Sequence, residues 1–176
     1  MRHGLVCWCT GLSGYGKTTV TSAVAADLEA AGYLALVLDG DDLRRRGRQP
    51  LGFEPEDIRE SNGFAAGLCQ QERANYDVVF VAMISPMAVY RESARALLGP
   101  AFAEIHFAAD LSVVMARDVK GLYAKASRGE LTNLIGYSPS HPYEPPTDPD
   151  LRIDSGTETV AESIRKLRSF VTGRLM

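Results

Sequence analysis

The chain has 176 residues, of which 45% are hydrophobic and 23% charged, and its 19 Lys and Arg against 22 Asp and Glu leave a net charge of −3. This length suits one domain spanning residues 1–176, the composition is too apolar for disorder, and the acidic balance argues against a partner that is a nucleic-acid polymer. No run nears the roughly 18 apolar residues of a membrane span, and Met1-Arg2-His3-Gly4 enters a short apolar run without a signal-peptide cleavage site, which predicts a cytoplasmic chain with no membrane partner.

Taken in order, Leu5–Thr10 reads as a strand, Lys17–Ala31 as a helix and Leu34–Leu38 as a second strand. Pro55–Ala74 is the next helix, with proline in the first turn, where its missing N–H costs little. Val78–Ala82 is a strand, Val89–Leu98 a helix, Phe102–Ala108 a strand, Leu151–Ile153 a short fifth strand and Thr159–Val171 a closing helix. Apolar runs without alternation suit strands covered on both faces, and helices between them supply the cover. The expected fold is therefore an α/β three-layer sandwich with a five-stranded parallel sheet. Right-handed crossovers put the loops Gly11–Gly16, Asp39–Phe53 and Met83–Ala88 on one edge, where ligands bind. Residues 126–148 hold four prolines and two glycines in a long irregular stretch, as expected of a lid. Cys7, Cys9 and Cys69 lack a partner pair at metal-ligand spacing and read as small core residues.

The sharpest motif is Gly11-Leu-Ser-Gly-Tyr-Gly-Lys17-Thr18, which satisfies GxxxxGK[ST] between a strand and a helix. Glycines let successive backbone N–H groups turn inward around a phosphate, and the helix N-terminus adds further donors. Lys17 then reaches the β- and γ-phosphates, while the Thr18 hydroxyl is a Mg²⁺ ligand. The expected ATP-binding set is Gly11, Ser13, Gly14, Tyr15, Gly16, Lys17, Thr18 and Thr19. No guanine-reading NKxD segment follows, so a small phosphotransferase fits better than a switch GTPase.

Asp39-Gly-Asp-Asp-Leu-Arg44 follows the second strand at the same edge. One carboxylate there can orient or deprotonate an attacking hydroxyl and the other can hold metal-bound water. Helix capping by Asp39 is the plainer alternative. Arg44, Arg45, Arg46 and Arg48 crowd this loop, which suggests an anionic acceptor, with Arg44 the expected ligand. Phe53 can stack on a base or anchor its loop, and Arg59 and Asn62, three apart on a helix, can face one cleft.

These stretches carry a resemblance. GLSGYGKTT at 11–19, LDGDDLR at 38–44, GFEPEDIRESN at 52–62, ISPMAVYRESAR at 84–95, RDVKGLYAKASRGEL at 117–131 and PYEPPTDPDLRID at 142–154 together are similar to the adenylylsulfate kinase family of P-loop kinases. The resemblance implies transfer of the γ-phosphate of ATP to the 3′-hydroxyl of adenosine 5′-phosphosulfate. It implies Asp41 beside that hydroxyl, Asp39 supporting the metal, and Arg44, Arg59 and Asn62 on the phosphosulfate and ribose. It further implies Phe53 stacked on the base, Ile84, Ser85 and Pro86 lining the acceptor pocket, and Lys120 in a mobile lid at about 118–148 with Arg117 nearby on the ATP side. Relatives of this family also imply a homodimer.

The chain departs from the family pattern on the acceptor side. Leu134 stands where the family has a phenylalanine that closes over adenine, Met87 replaces an aromatic after ISP, and two extra residues precede Pro142. A related kinase acting on another activated nucleotide, such as a cytidine diphosphate-linked phosphoramidate, is the alternative within the same chemistry. A non-catalytic nucleotide-binding regulator is the alternative of another class, against which Lys17, Thr18, Asp39 and Asp41 stand together.

Overall fold

In the computed structural model, which describes residues 4–46, 51–118 and 120–176, strands and helices alternate along the chain. The strands are β1 (Leu5–Thr10), β2 (Ala35–Asp39), β3 (Val78–Ala82), β4 (Phe102–Ala108) and β5 (Leu151–Asp154). The helices are α1 (Lys17–Ala30), α2 (Gly40–Arg46), α3 (Pro55–Glu72), α4 (Ala88–Leu98), α5 (Leu111–Arg117), α6 (Leu122–Ser127) and α7 (Val160–Leu175), with a short 3₁₀ turn at Gly99–Ala101.

The five strands form one parallel sheet in the order β2-β3-β1-β4-β5, so the expected three-layer α/β sandwich is the observed one. Period-two geometry divides each strand between two cores. Cys7, Cys9, Phe80, Ile105 and Phe107 pack with Val20, Val24 and Leu28 of α1 and Leu167 and Val171 of α7. Val6, Trp8, Val79 and Val81 pack with Ala65 and Cys69 of α3 and Ala94 and Leu98 of α4. All three cysteines are buried and free, and burial pushes their thiols upward in pKa, as inert core residues require. Among the described residues no helix is long and apolar enough to cross a membrane.

Three helices were not legible as such. The stretch read as the loop Asp39–Phe53 begins with α2, and the approach to the irregular segment contains α5 and α6. Each is short and buries one apolar side chain well, Leu43 in α2, Val114 in α5 and Tyr123 in α6, too few for a helical stripe. Capping holds α2 and α6 instead: the Asp39 Oδ1 accepts the backbone N–H groups of Asp41 and Asp42, and the Asp118 carboxylate accepts those of Tyr123 and Ala124. Helix α7 starts with a reciprocal box in which the Thr159 hydroxyl accepts from the Glu162 N–H and the Glu162 carboxylate accepts from the Thr159 N–H. Arg48, counted in the basic cluster, lies outside the described residues.

Candidate active site

The C-terminal ends of β1, β2 and β3 converge on a cavity of about 190 Å³ whose walls include Gly14, Gly16, Lys17, Thr18, Asp39, Asp41 and Ile84. The β1–α1 loop forms one side. Gly11 adopts φ 150° with its Cα so close to β4 that an added Cβ would lie 2.4 Å from the Phe107 carbonyl oxygen, so glycine is required there. Gly16 enters α1 in the left-handed conformation, leaving the first-turn N–H groups of α1 facing the cavity mouth. The loop is fastened from outside by three hydrogen bonds: the Tyr15 hydroxyl donates to the Ala109 carbonyl at 2.8 Å, the Tyr123 hydroxyl to the Ser13 carbonyl at 3.1 Å, and the Ser155 hydroxyl to the Tyr15 carbonyl at 2.8 Å.

Lys17 is 8% exposed, and its ammonium donates to the carbonyls of Gly11 (2.7 Å) and Leu12 (2.9 Å). Burial is the main reason its pKa falls from 10.5 to about 8. The Thr18 hydroxyl donates to Asp39 Oδ2 at 2.6 Å. Asp39 thus caps α2 with one oxygen, the plainer of the two readings, and holds the other against Thr18 in the cavity wall. Thr18 and Asp39 together offer two hard oxygen atoms at the mouth of a phosphate loop, a donor set that suits Mg²⁺. Thr19 is exposed on the first turn of α1. Arg117, at the end of α5, donates to the Ser155 carbonyl at 2.7 Å and so borders the loop behind Tyr15.

Across the cavity Asp41 is held between two cations. Its Oδ1 accepts from Arg44 at 2.9 Å and its Oδ2 from Lys120 at 2.8 Å. Burial pushes this carboxyl upward, but the hydrogen bonds from Lys120 and Arg44 outweigh it and hold it at about 2. The pair with Lys120 joins α2 to residues 79 positions further along the chain.

A second cavity of about 200 Å³ adjoins the first, sharing Ser13, Asp41, Arg44, Ile84 and Lys120 with it. Its remaining walls are Phe53, Leu122, Leu131, Asn133, Leu134 and Ile135, so it is apolar with one amide. Phe53 packs on the core and carries the Arg44 guanidinium 4.5 Å from its ring centroid, which makes it both a loop anchor and a cavity wall. Leu134 is buried in the same wall. Leu122, Leu131, Asn133 and Ile135 were not singled out from the sequence; the apolar spacing of Leu131, Leu134 and Ile135 inside a proline-rich stretch was the available signal. Gly136 (φ 77°) brings this stretch against the phosphate loop, where a Cβ would meet Leu12 at 2.5 Å.

Two sequence-predicted residues do not meet in the cleft. Arg59 is exposed on α3, and neither cavity is lined by it. Asn62 is 4% exposed with both ends of its amide engaged, donating to the Ile58 carbonyl at 2.8 Å and accepting from the Ser85 hydroxyl at 2.5 Å. Side chains three residues apart on a helix stand about 60° apart, and here that offset puts Asn62 in the buried interface while Arg59 stays outside. Ile84 lines both cavities; Ser85 lies buried directly behind it, and the Pro86 carbonyl accepts the Glu144 N–H at 2.8 Å.

Residues 3–154 match the family model described as adenylylsulphate kinase. An adenylyl-sulfate kinase of Halothermothrix orenii is 43% identical over 173 residues, covering 97% of this chain and 90% of its own length. One from Paraburkholderia xenovorans is 43% identical over 165 residues, covering 94% and 91%. The solved structure of the Mycobacterium tuberculosis APS kinase in complex with AMPPNP and APS superposes with a TM-score of 0.89 at 35% identity, covering 96% of this chain and 98% of that one.

Proposed function

The chain belongs to the adenylylsulphate kinase family, and from that premise we propose that it transfers the γ-phosphoryl group of ATP to the 3′-hydroxyl of adenosine 5′-phosphosulfate. The observation that carries this reading is the junction of two cavities at Asp41: one bounded by a phosphate-binding loop, the other by Phe53 and Leu134.

In this reading the loop amides of residues 11–19 and the Lys17 ammonium hold the triphosphate, and Arg117 borders its nucleoside. Thr18 and Asp39 would hold Mg²⁺, which supplies charge neutralisation on the phosphate oxygens when bound. Phe53 and Leu134 flank the acceptor base, and the Ile84–Pro86 backbone positions its ribose. Arg44 and Lys120 face the anionic phosphosulfate and the transferring phosphoryl group. As substrate oxygens draw these two cations away, Asp41 is freed to accept a hydrogen bond from the 3′-hydroxyl. The 3′-oxygen then forms a bond to the γ-phosphorus, the bond from phosphorus to the β,γ-bridging oxygen breaks, and the hydroxyl proton passes to Asp41, which gives it to water when the lid reopens. With two cations still close by, the carboxylate is a weak base, so its main contribution is orientation of the nucleophile. Residues 118–148 act as the lid that excludes water, with Lys120 at its leading end. Asn62 supports the acceptor wall through Ser85. The chain acts in the cytoplasm as a homodimer.

The test is turnover by the purified chain with ATP and Mg²⁺ against adenosine 5′-phosphosulfate and a panel of cytidine and guanosine nucleotides, with the product's phosphate position read by phosphorus NMR. A 3′-phosphorylated adenosine phosphosulfate is expected. Turnover of a cytidine compound with none of adenosine 5′-phosphosulfate overturns the acceptor assignment.

A further inference from the structure

Ser85, in the wall between the sheet and the acceptor cavity, has φ 45°, a left-handed conformation that a residue with a Cβ adopts only where its surroundings impose it. The imposition is visible. Its hydroxyl accepts from Trp8 Nε1 at 3.0 Å and donates to Asn62, while its carbonyl accepts from Arg91 Nη1 at 2.9 Å and from the Thr10 hydroxyl at 3.2 Å. Arg91 is 4% exposed on α4. Its Nη2 donates to the Glu144 carbonyl at 2.8 Å and its Nε to Glu104 on β4 at 2.6 Å. Glu144 lies at the C-terminal foot of the 118–148 segment. Its N–H reaches the Pro86 carbonyl, and its carboxylate caps α4 at the Ala88 N–H (2.7 Å).

One buried guanidinium thus bridges the wall of the acceptor cavity and the foot of the lid, and anchors both to the sheet. We propose that Arg91 is the positioning residue of the acceptor site. It touches neither cavity's phosphate loop nor Asp41; its fork fixes the distance between the Ser85 and Glu144 carbonyls, and with it the register in which the Ile84–Pro86 wall meets the lid. The inference rests on the reading above that Ile84–Pro86 position the acceptor.

Three variants test it: Arg91→Gln, Arg91→Lys, and Arg91→Met combined with Glu104→Leu, which removes both members of the buried pair and avoids leaving an unpaired charge. In the double variant the KM for adenosine 5′-phosphosulfate is expected to rise about 10- to 100-fold while the KM for ATP changes less than about threefold. Arg91→Lys should recover part of the loss, because an ammonium can still donate to one of the two carbonyls. A parallel rise in both KM values, or an unmoved acceptor KM in a folded double variant, overturns the proposal. Hydrogen exchange supplies a readout independent of turnover. The Glu144 and Gly11 amides, which donate to the Pro86 and Ile84 carbonyls, should exchange at least about tenfold faster in Arg91→Gln with the β3 amides unchanged. Equal acceleration throughout the sheet makes Arg91 a general stabiliser and overturns the proposal. If the native chain does not phosphorylate adenosine 5′-phosphosulfate, the functional reading fails and the exchange result still decides the role of Arg91.

Discussion

Raising the pH is the perturbation that most directly isolates Lys17. Its ammonium is buried between the Gly11 and Leu12 carbonyls, and burial lowers its pKa to about 8 in the nucleotide-free protein. A triphosphate needs the protonated form, so productive capture falls as pH rises through that value. One unit above it roughly one molecule in eleven is protonated, against about ten in eleven one unit below, which makes kcat/KM for ATP at pH 9 about tenfold lower than at pH 7. Bound phosphates favour the ammonium, so the alkaline limb of kcat itself should lie at higher pH. Initial rates at subsaturating and saturating ATP from pH 7 to 9.5, with the acceptor saturating, measure both. A flat kcat/KM profile across that range refutes the reasoning, since it would mean Lys17 stays charged without the nucleotide.

Asp41→Asn keeps the side chain's size but removes its charge, and kcat should fall about 10²- to 10⁴-fold in a folded protein, measured by coupled ADP release; full turnover in this variant would favour a site that does not orient a hydroxyl. Phe53→Ala removes the aromatic wall of the second cavity, so the acceptor KM should rise about 5- to 150-fold, the equivalent of ~1–3 kcal/mol of stacking, with the KM for ATP unchanged. His106, buried against Tyr143 at 6.3 Å between ring centroids, has its pKa lowered to about 4, first by burial and then by Arg152 and Arg91. Its folded value lies below the ordinary 6.5, so the stability it lends is complete above pH 6.5 and lost as pH falls towards 4. That loss is on the order of 2 kcal/mol, and urea unfolding of the native chain and His106→Gln at pH 7 and 4.5 should show the difference shrink with acidity.

The sheet and the phosphate loop were legible because their signals are local. Buried parallel strands write continuous apolar runs, and GxxxxGK[ST] fixes a backbone shape with few residue choices. Helix α2 was not legible, since among its described side chains Leu43 alone packs in the core and the helix depends on the Asp39 cap. Asp41 and Lys120 were named from the sequence, but their meeting across 79 residues is a tertiary fact. Asn62 shows the converse: a polar residue on a helix reads as a ligand until its two hydrogen bonds to Ile58 and Ser85 account for it. Arg91 has no sequence signal beyond its place in the helix Val89–Leu98; burial and three acceptors distinguish it.

The central claim is that donor and acceptor meet at Asp41, and the most direct measurement is a crystal structure of the chain with a non-hydrolysable ATP analogue, Mg²⁺ and adenosine 5′-phosphosulfate. It should place the 3′-oxygen within about 3.5 Å of the γ-phosphorus and within hydrogen-bond reach of Asp41, with the base against Phe53. An acceptor bound with its ribose turned away from Asp41, or outside the cavity walled by Phe53 and Leu134, would contradict it.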